Sequence, residues 1–162
     1  MMDSYGDTVV FEREIGRSID DQPLIAYFLM LGATPETYED ELISRNSMFV
    51  NGATHARELT TISQTVLQML TVLYDYERGD SMTISLLERN AFIFMPIVNV
   101  DGFTGIDIIY TATGTFSWIR KNRRIDVDAN CDDLTEIGVD LNRNYGFRWG
   151  FDETGSSSNP CD

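Results

Sequence analysis

The sequence has a single histidine, His55, and only two cysteines, Cys131 and Cys161, in 162 residues. Two thiols allow one disulfide and exclude a disulfide framework. Such a bond implies a secreted or vacuolar-lysosomal compartment, where thiols oxidise. The opening stretch MMDSYGDTVVFERE has no basic start followed by an apolar core, so it does not read as a signal peptide. No apolar run approaches the roughly 18–20 residues of a membrane span. Positive charge is also scarce: 12 Lys and Arg stand against 26 Asp and Glu, a net charge of −14. That balance excludes nucleic acid and anionic membranes as natural partners, because phosphate binding needs clustered cations.

What is present is an ordinary globular composition, 43% hydrophobic and 11% aromatic. TVVFEREI alternates and PLIAYFLML is nearly continuous, and both read as strands. GRSIDDQ between them supplies turn residues. SMFVNG reads as a short strand ending at a glycine loop. From Arg57 to Tyr76, apolar residues at Leu59, Ile62, Val66, Met69, Leu73 and Tyr76 fall in steps of three and four. That spacing predicts an amphipathic helix, stopped by Gly79. SMTISLLE reads as a shorter helix, and AFIFMPIV as a strand buried on both faces. Strand, helix and strand with a long crossover imply an α/β fold containing parallel neighbours. After Asp101 regular structure is expected to thin into apolar pieces and an acidic loop, RIDVDANCDDLTEIG. VDLNRNYGFRWGF should then restart as a short strand.

Three clusters carry chemistry. His55 and Glu58 in NGATHARELTT sit where a strand loop turns into a helix. Imidazole and carboxylate together suit zinc, at about 2.0–2.2 Å per bond. The same pair also reads as a surface histidine beside a first-turn glutamate favoured by the helix dipole. WIRKNRR is cationic in an acidic chain, and an arginine there is suited to stabilise an oxyanion. Asn142 and Arg143 in VDLNRNY pair a neutral donor with a bidentate carboxylate binder.

The ordered set GRSIDDQPL, NGATHARE, PIVNVDGF, RKNRR, GVDLNRNYGFRWG and SSSNPC, from about Phe11 to Cys161, resembles the zinc metallocarboxypeptidases of the carboxypeptidase A and B family. The resemblance implies an α/β fold with a mixed parallel and antiparallel sheet and flanking helices. It also implies one zinc ion and peptide or protein C-termini as substrate. By the same resemblance His55 and Glu58 are two zinc ligands, and Arg57 contacts substrate away from the cleaved bond. Arg120 polarises the scissile carbonyl, while Asn142 and Arg143 grip the terminal carboxylate. Asp140 orients the zinc histidine, and Cys131 pairs with Cys161.

The family's third ligand is a histidine further downstream, and this chain has no second histidine. The resemblance also places the general-base glutamate, a capping tyrosine and the side-chain pocket downstream of SSSNPC. Residues 1–162 are therefore expected to be the first half of a catalytic domain. That half is a piece of a longer protein, a shortened relative that binds without catalysis, or a half completed by a second chain. Half a sheet leaves an unpaired edge and apolar surface, from which self-association is expected.

Overall fold

The computed structural model describes residues 9–124, 131, 135, 137–151, 155–157, 159 and 161. The start of the first expected strand, most of the expected acidic loop and parts of the SSSNPC segment lie outside them. The chain forms two compact units. The first contains a sheet and its helices; the second comprises Arg17–Leu24, Ala53–Leu59 and the chain from Ile97 onward.

Four strands, β1 (Val10–Arg17), β2 (Pro23–Leu29), β3 (Asn46–Asn51) and β4 (Asn90–Met95), assemble in the order β1-β2-β4-β3. β4 runs antiparallel to β2, with Phe28 opposite Ile93, and parallel to β3, with Phe49 opposite Ile93. The mixed sheet is therefore the expected one. Successive side chains of a strand point to opposite faces, and the core divides accordingly. Val10, Leu29, Phe92 and Phe94 join one cluster; Phe11, Phe28, Ala91 and Ile93 join the other.

Helices α1 (Tyr38–Ser44), α2 (Leu59–Glu77) and α3 (Ser81–Arg89) flank this sheet. Leu73, Met69 and Tyr76 of α2 and Leu87 of α3 pack on the first cluster, while Tyr38 and Leu42 of α1 pack on the second. Met69, Leu73 and Tyr76 of the expected stripe therefore lie on the packing face of α2, while Leu59 at its start is exposed. Gly79 (φ +74°) ends it as the sequence indicates. β3 is an outer strand with Met48 and Phe49 more than half exposed. No helix among the described residues is long and apolar enough to cross a membrane.

Two expectations are corrected. The region after Asp101 does not thin out: Val100–Thr113 is a 14-residue helix, α4. Its sequence, VDGFTGIDIIYTAT, is rich in Gly, Thr and Ile, which are weak helix formers. Tertiary contacts override that propensity. Asn99 caps the start by accepting from Gly102 N at 3.0 Å. Ala56, Ile106 and Ile119 form a small core beneath the helix. Gly114 (φ +69°) closes it, with nothing within 4 Å of where a Cβ would sit. Gly114→Ala is therefore expected to cost about 1 kcal/mol of stability from backbone strain alone, measurable by thermal melting.

Likewise, VDLNRNY does not restart as a strand. Val139 and Asp140 are irregular, and Leu141–Arg143 is a single 3-10 turn. The physical reason is Asp140: its carboxylate accepts from Asn142 N at 2.9 Å and caps the turn. Cys131 and Cys161 form a disulfide, with Cα atoms 5.4 Å apart, as the family resemblance implies.

Candidate metal and carboxylate site

Every expected site residue lies in the second unit. The loop after β3 holds Ala53 at φ +46°, a conformation that costs an L-residue about 1–2 kcal/mol. It then turns through His55 to Glu58, with Glu58 N donating to His55 O at 3.1 Å. The imidazole is buried at 5% exposure.

Both ring nitrogens face carboxylates. Nδ1 lies 2.8 Å from Glu58 Oε1, and Nε2 lies 3.0 Å from Asp140 Oδ1. Asp140 Oδ2 in turn accepts from Arg120 Nε at 2.8 Å. Burial pushes the Asp140 carboxyl up, but the Arg120 guanidinium, the Asn142 amide and the His55 ring outweigh it. Together they hold the carboxyl below its usual range. An ionised Asp140 can only accept, so Nε2 donates to it, and Nδ1 is the nitrogen that faces the Glu58 carboxylate.

The 2.8 Å contact is hydrogen-bond distance, and a metal ion held by the same two atoms would take the place of the bridging proton. An N and O donor pair on a histidine oriented by a carboxylate fits zinc at two coordination positions. Among the described residues, no cluster of three or more His, Cys, Asp or Glu is arranged to hold a metal.

Asp140 reaches Arg120 because two backbone segments are clamped together. Asn122 N donates to Val139 O at 3.1 Å, and Val139 N donates to Asn122 Oδ1 at 2.8 Å. Arg120 itself is anchored by its carbonyl, which accepts from Ala56 N at 3.3 Å and Asn99 Nδ2 at 3.1 Å. Within WIRKNRR, Lys121 is 2% exposed, so the cluster is not one solvated cationic face.

Asn142 and Arg143 follow Leu141 in the turn that Asp140 caps and are exposed, with Arg143 Nη1 donating to the Asn142 carbonyl at 2.9 Å. Arg57 is half-buried and donates to Trp118 O at 3.4 Å. The structure thus joins His55, Glu58, Asp140 and Arg120 in one hydrogen-bonded chain. Asn142 is tied to it through its amide, while the Arg57 and Arg143 guanidinium groups lie outside that chain of bonds.

Sequence reasoning assigned no role to Asn99, which is 2% exposed and bonded to three segments. An Asn followed two residues later by Asp101 is the N-cap signal that marks it.

The chain matches the zinc carboxypeptidase family over residues 3–162. It is similar to human mast cell carboxypeptidase A, 32% identical over 99% of this chain and 33% of that protein. It is also similar to a protein of Sclerotinia sclerotiorum named inactive metallocarboxypeptidase ecm14, 29% identical over 99% of this chain and 24% of that one. Among solved structures, bovine thrombin-activatable fibrinolysis inhibitor, in complex with tick carboxypeptidase inhibitor, superposes with a TM-score of 0.68 at 28% identity. That alignment covers 99% of this chain and 43% of the solved one. The chain thus spans a quarter to a third of the length of these curated relatives.

Proposed function

Because this chain belongs to the zinc carboxypeptidase family, we propose that it forms the part of a metallocarboxypeptidase that supplies two zinc ligands and the substrate-carboxylate grip. The observation that carries this reading is the His55 Nδ1–Glu58 Oε1 pair at 2.8 Å, its ring held from behind by Asp140 at 3.0 Å. When bound, zinc lowers the pKa of a water and polarises the scissile carbonyl.

The chain's own residues do the rest. Asp140 fixes the imidazole so that Nδ1 points outward to the metal side. Arg120 uses Nε on Asp140, which leaves its terminal nitrogens to donate to a carbonyl oxygen as negative charge develops there. Asn142 and Arg143, on the 3-10 turn beside Asp140, bind the terminal carboxylate of a peptide, and Arg57 contacts the peptide further along. A carboxylate grip at a fixed distance from the metal restricts cleavage to the last residue. The family's third ligand and general base lie outside this chain, so the 162-residue protein alone is inactive. The disulfide accords with a secreted or vacuolar-lysosomal location.

The pure chain, supplied with zinc, is therefore expected to release no amino acid from peptides with free C-termini. Chelator-sensitive release would overturn this assignment. The same peptides should bind, and C-terminal amidation should weaken binding about tenfold or more by removing the charge that Arg143 recognises. Titration calorimetry with the free and amidated peptides measures this, and equal affinities would remove the carboxylate grip.

A second reading is a protein that binds C-termini without cleaving them. It is favoured by the inactive designation of a similar fungal protein. Carboxylate-dependent binding is shared by both readings. What separates them is whether a longer protein containing this chain hydrolyses the peptide it binds.

A further inference from the structure

We propose that Asn99 is a positioning residue that sets Arg120, and through it Asp140 and His55, in register with the His55–Glu58 loop. The inference rests on the zinc-ligand reading above and adds a residue to it. Asn99 uses its polar groups on three different segments. Its backbone N–H donates to Ala53 O at 3.0 Å, holding the loop at its strained residue. Its Nδ2 donates to Arg120 O at 3.1 Å, and its Oδ1 accepts from Gly102 N at 3.0 Å at the start of α4. All three bonds lie within the second unit, and Asn99 is fully buried.

The bond to Ala53 fixes the strand-to-helix loop two residues before His55. The bond to Arg120 fixes the carbonyl that Ala56 N also meets, one residue after His55. A single carboxamide with its own amide therefore holds both ends of the distance across which Arg120 reaches Asp140, and Asp140 reaches His55. Only an amide side chain supplies the cap acceptor and the Arg120 donor together. Aspartate has no donor, and serine is too short to reach both partners.

This separates positioning from mere capping. Serine is an equally good N-cap, and the Arg120 carbonyl keeps Ala56 N in its absence, so no buried group is left unpaired. Asn99→Ser should retain the far-UV circular dichroism of the native chain and melt within a few degrees of it. Two other readouts should change. The Nε–H resonance of Arg120 in the arginine-labelled 162-residue protein, assigned with Arg120→Lys, should move toward that of exposed arginines. The affinity for Co²⁺, used as a spectroscopic substitute for zinc, should fall about tenfold, the usual scale for losing a residue that supports a ligand.

Asn99→Asp, which keeps the acceptor and loses the donor, answers the same question if the serine variant does not fold. An unmoved Arg120 resonance would overturn the proposal. So would a moved resonance with unchanged cobalt affinity. If the native chain binds Co²⁺ no better than His55→Ala, the zinc reading fails instead, and the Arg120 resonance alone decides the role of Asn99.

Discussion

Replacing His55 with alanine is expected to lower the affinity of the chain for zinc by more than about 100-fold. A residue that only supports a ligand is worth about 10- to 100-fold, and a ligand must exceed that. His55 supplies the only nitrogen of the pair, and Glu58 by itself is a single half-exposed carboxylate. Asp140→Ala is the graded comparison. It leaves both ligands in the sequence, removes the partner of His55 Nε2 and of Arg120 Nε, and uncaps the 3-10 turn. Zinc affinity should then fall about 10- to 100-fold. Stability should fall by about 3 kcal/mol, because a largely buried guanidinium and a buried ring lose their charged acceptor. Zinc titrations on the three proteins, with thermal melting alongside, test the ranking. If His55→Ala binds zinc as the native chain does, the pair is an ordinary ion pair and not a metal corner.

Gly102→Ala should destabilise the chain by about 2 kcal/mol, against the usual sign of such a change. In an exposed helix interior, alanine is favoured over glycine by about 1 kcal/mol. Here the added Cβ would stand 2.7 Å from Ala56 Cβ, 2.8 Å from Lys121 O and 2.8 Å from Asn99 Oδ1. Two of these neighbours belong to backbone or a backbone-fixed methyl, so the clash is relieved only by moving α4 away from the Ala56 and Lys121 segments. Overpacking of this kind costs about 1–3 kcal/mol, and it strains the cap that Asn99 makes. A chain of this size should lose roughly 4–8 °C in melting temperature. An unchanged or higher melting temperature would mean that α4 does not approach those segments so closely.

These predictions trace a division between what order in the sequence reveals and what it conceals. β1 and α2 are legible from an apolar period of two or of 3.6, and β2 and β4 from near-continuous apolar runs that fill both sides of the sheet. The two sheet clusters, with Phe92 and Phe94 on one side and Ala91 and Ile93 on the other, are those two sides made visible. α4 was not legible. Its glycines and β-branched residues carry no helical preference, and it forms because Gly102 permits a close approach and Asn99 supplies a buried cap. The turn at Leu141–Arg143 is hidden from the sequence for the same kind of reason. The side chain that ends the extended segment, Asp140, has partners at His55 and Arg120 that are 85 and 20 residues away.

Amino-acid order alone identifies the candidate groups. One histidine three residues before a glutamate, a cationic stretch, and an Asp-Leu-Asn-Arg run stand in an order that resembles a single family. Under the proposed zinc reading, a chain with one histidine supplies two ligands and not a second imidazole. It takes folding to set Asp140 between His55 and Arg120, to turn Nδ1 toward Glu58 and to bond Asn99 to both the loop and the arginine. Sequence spacing fixes neighbours along a helix or strand, where the backbone repeat sets the distance. Hydrogen bonds between irregular segments depend on where packing brings the chain back upon itself, and no local period records that.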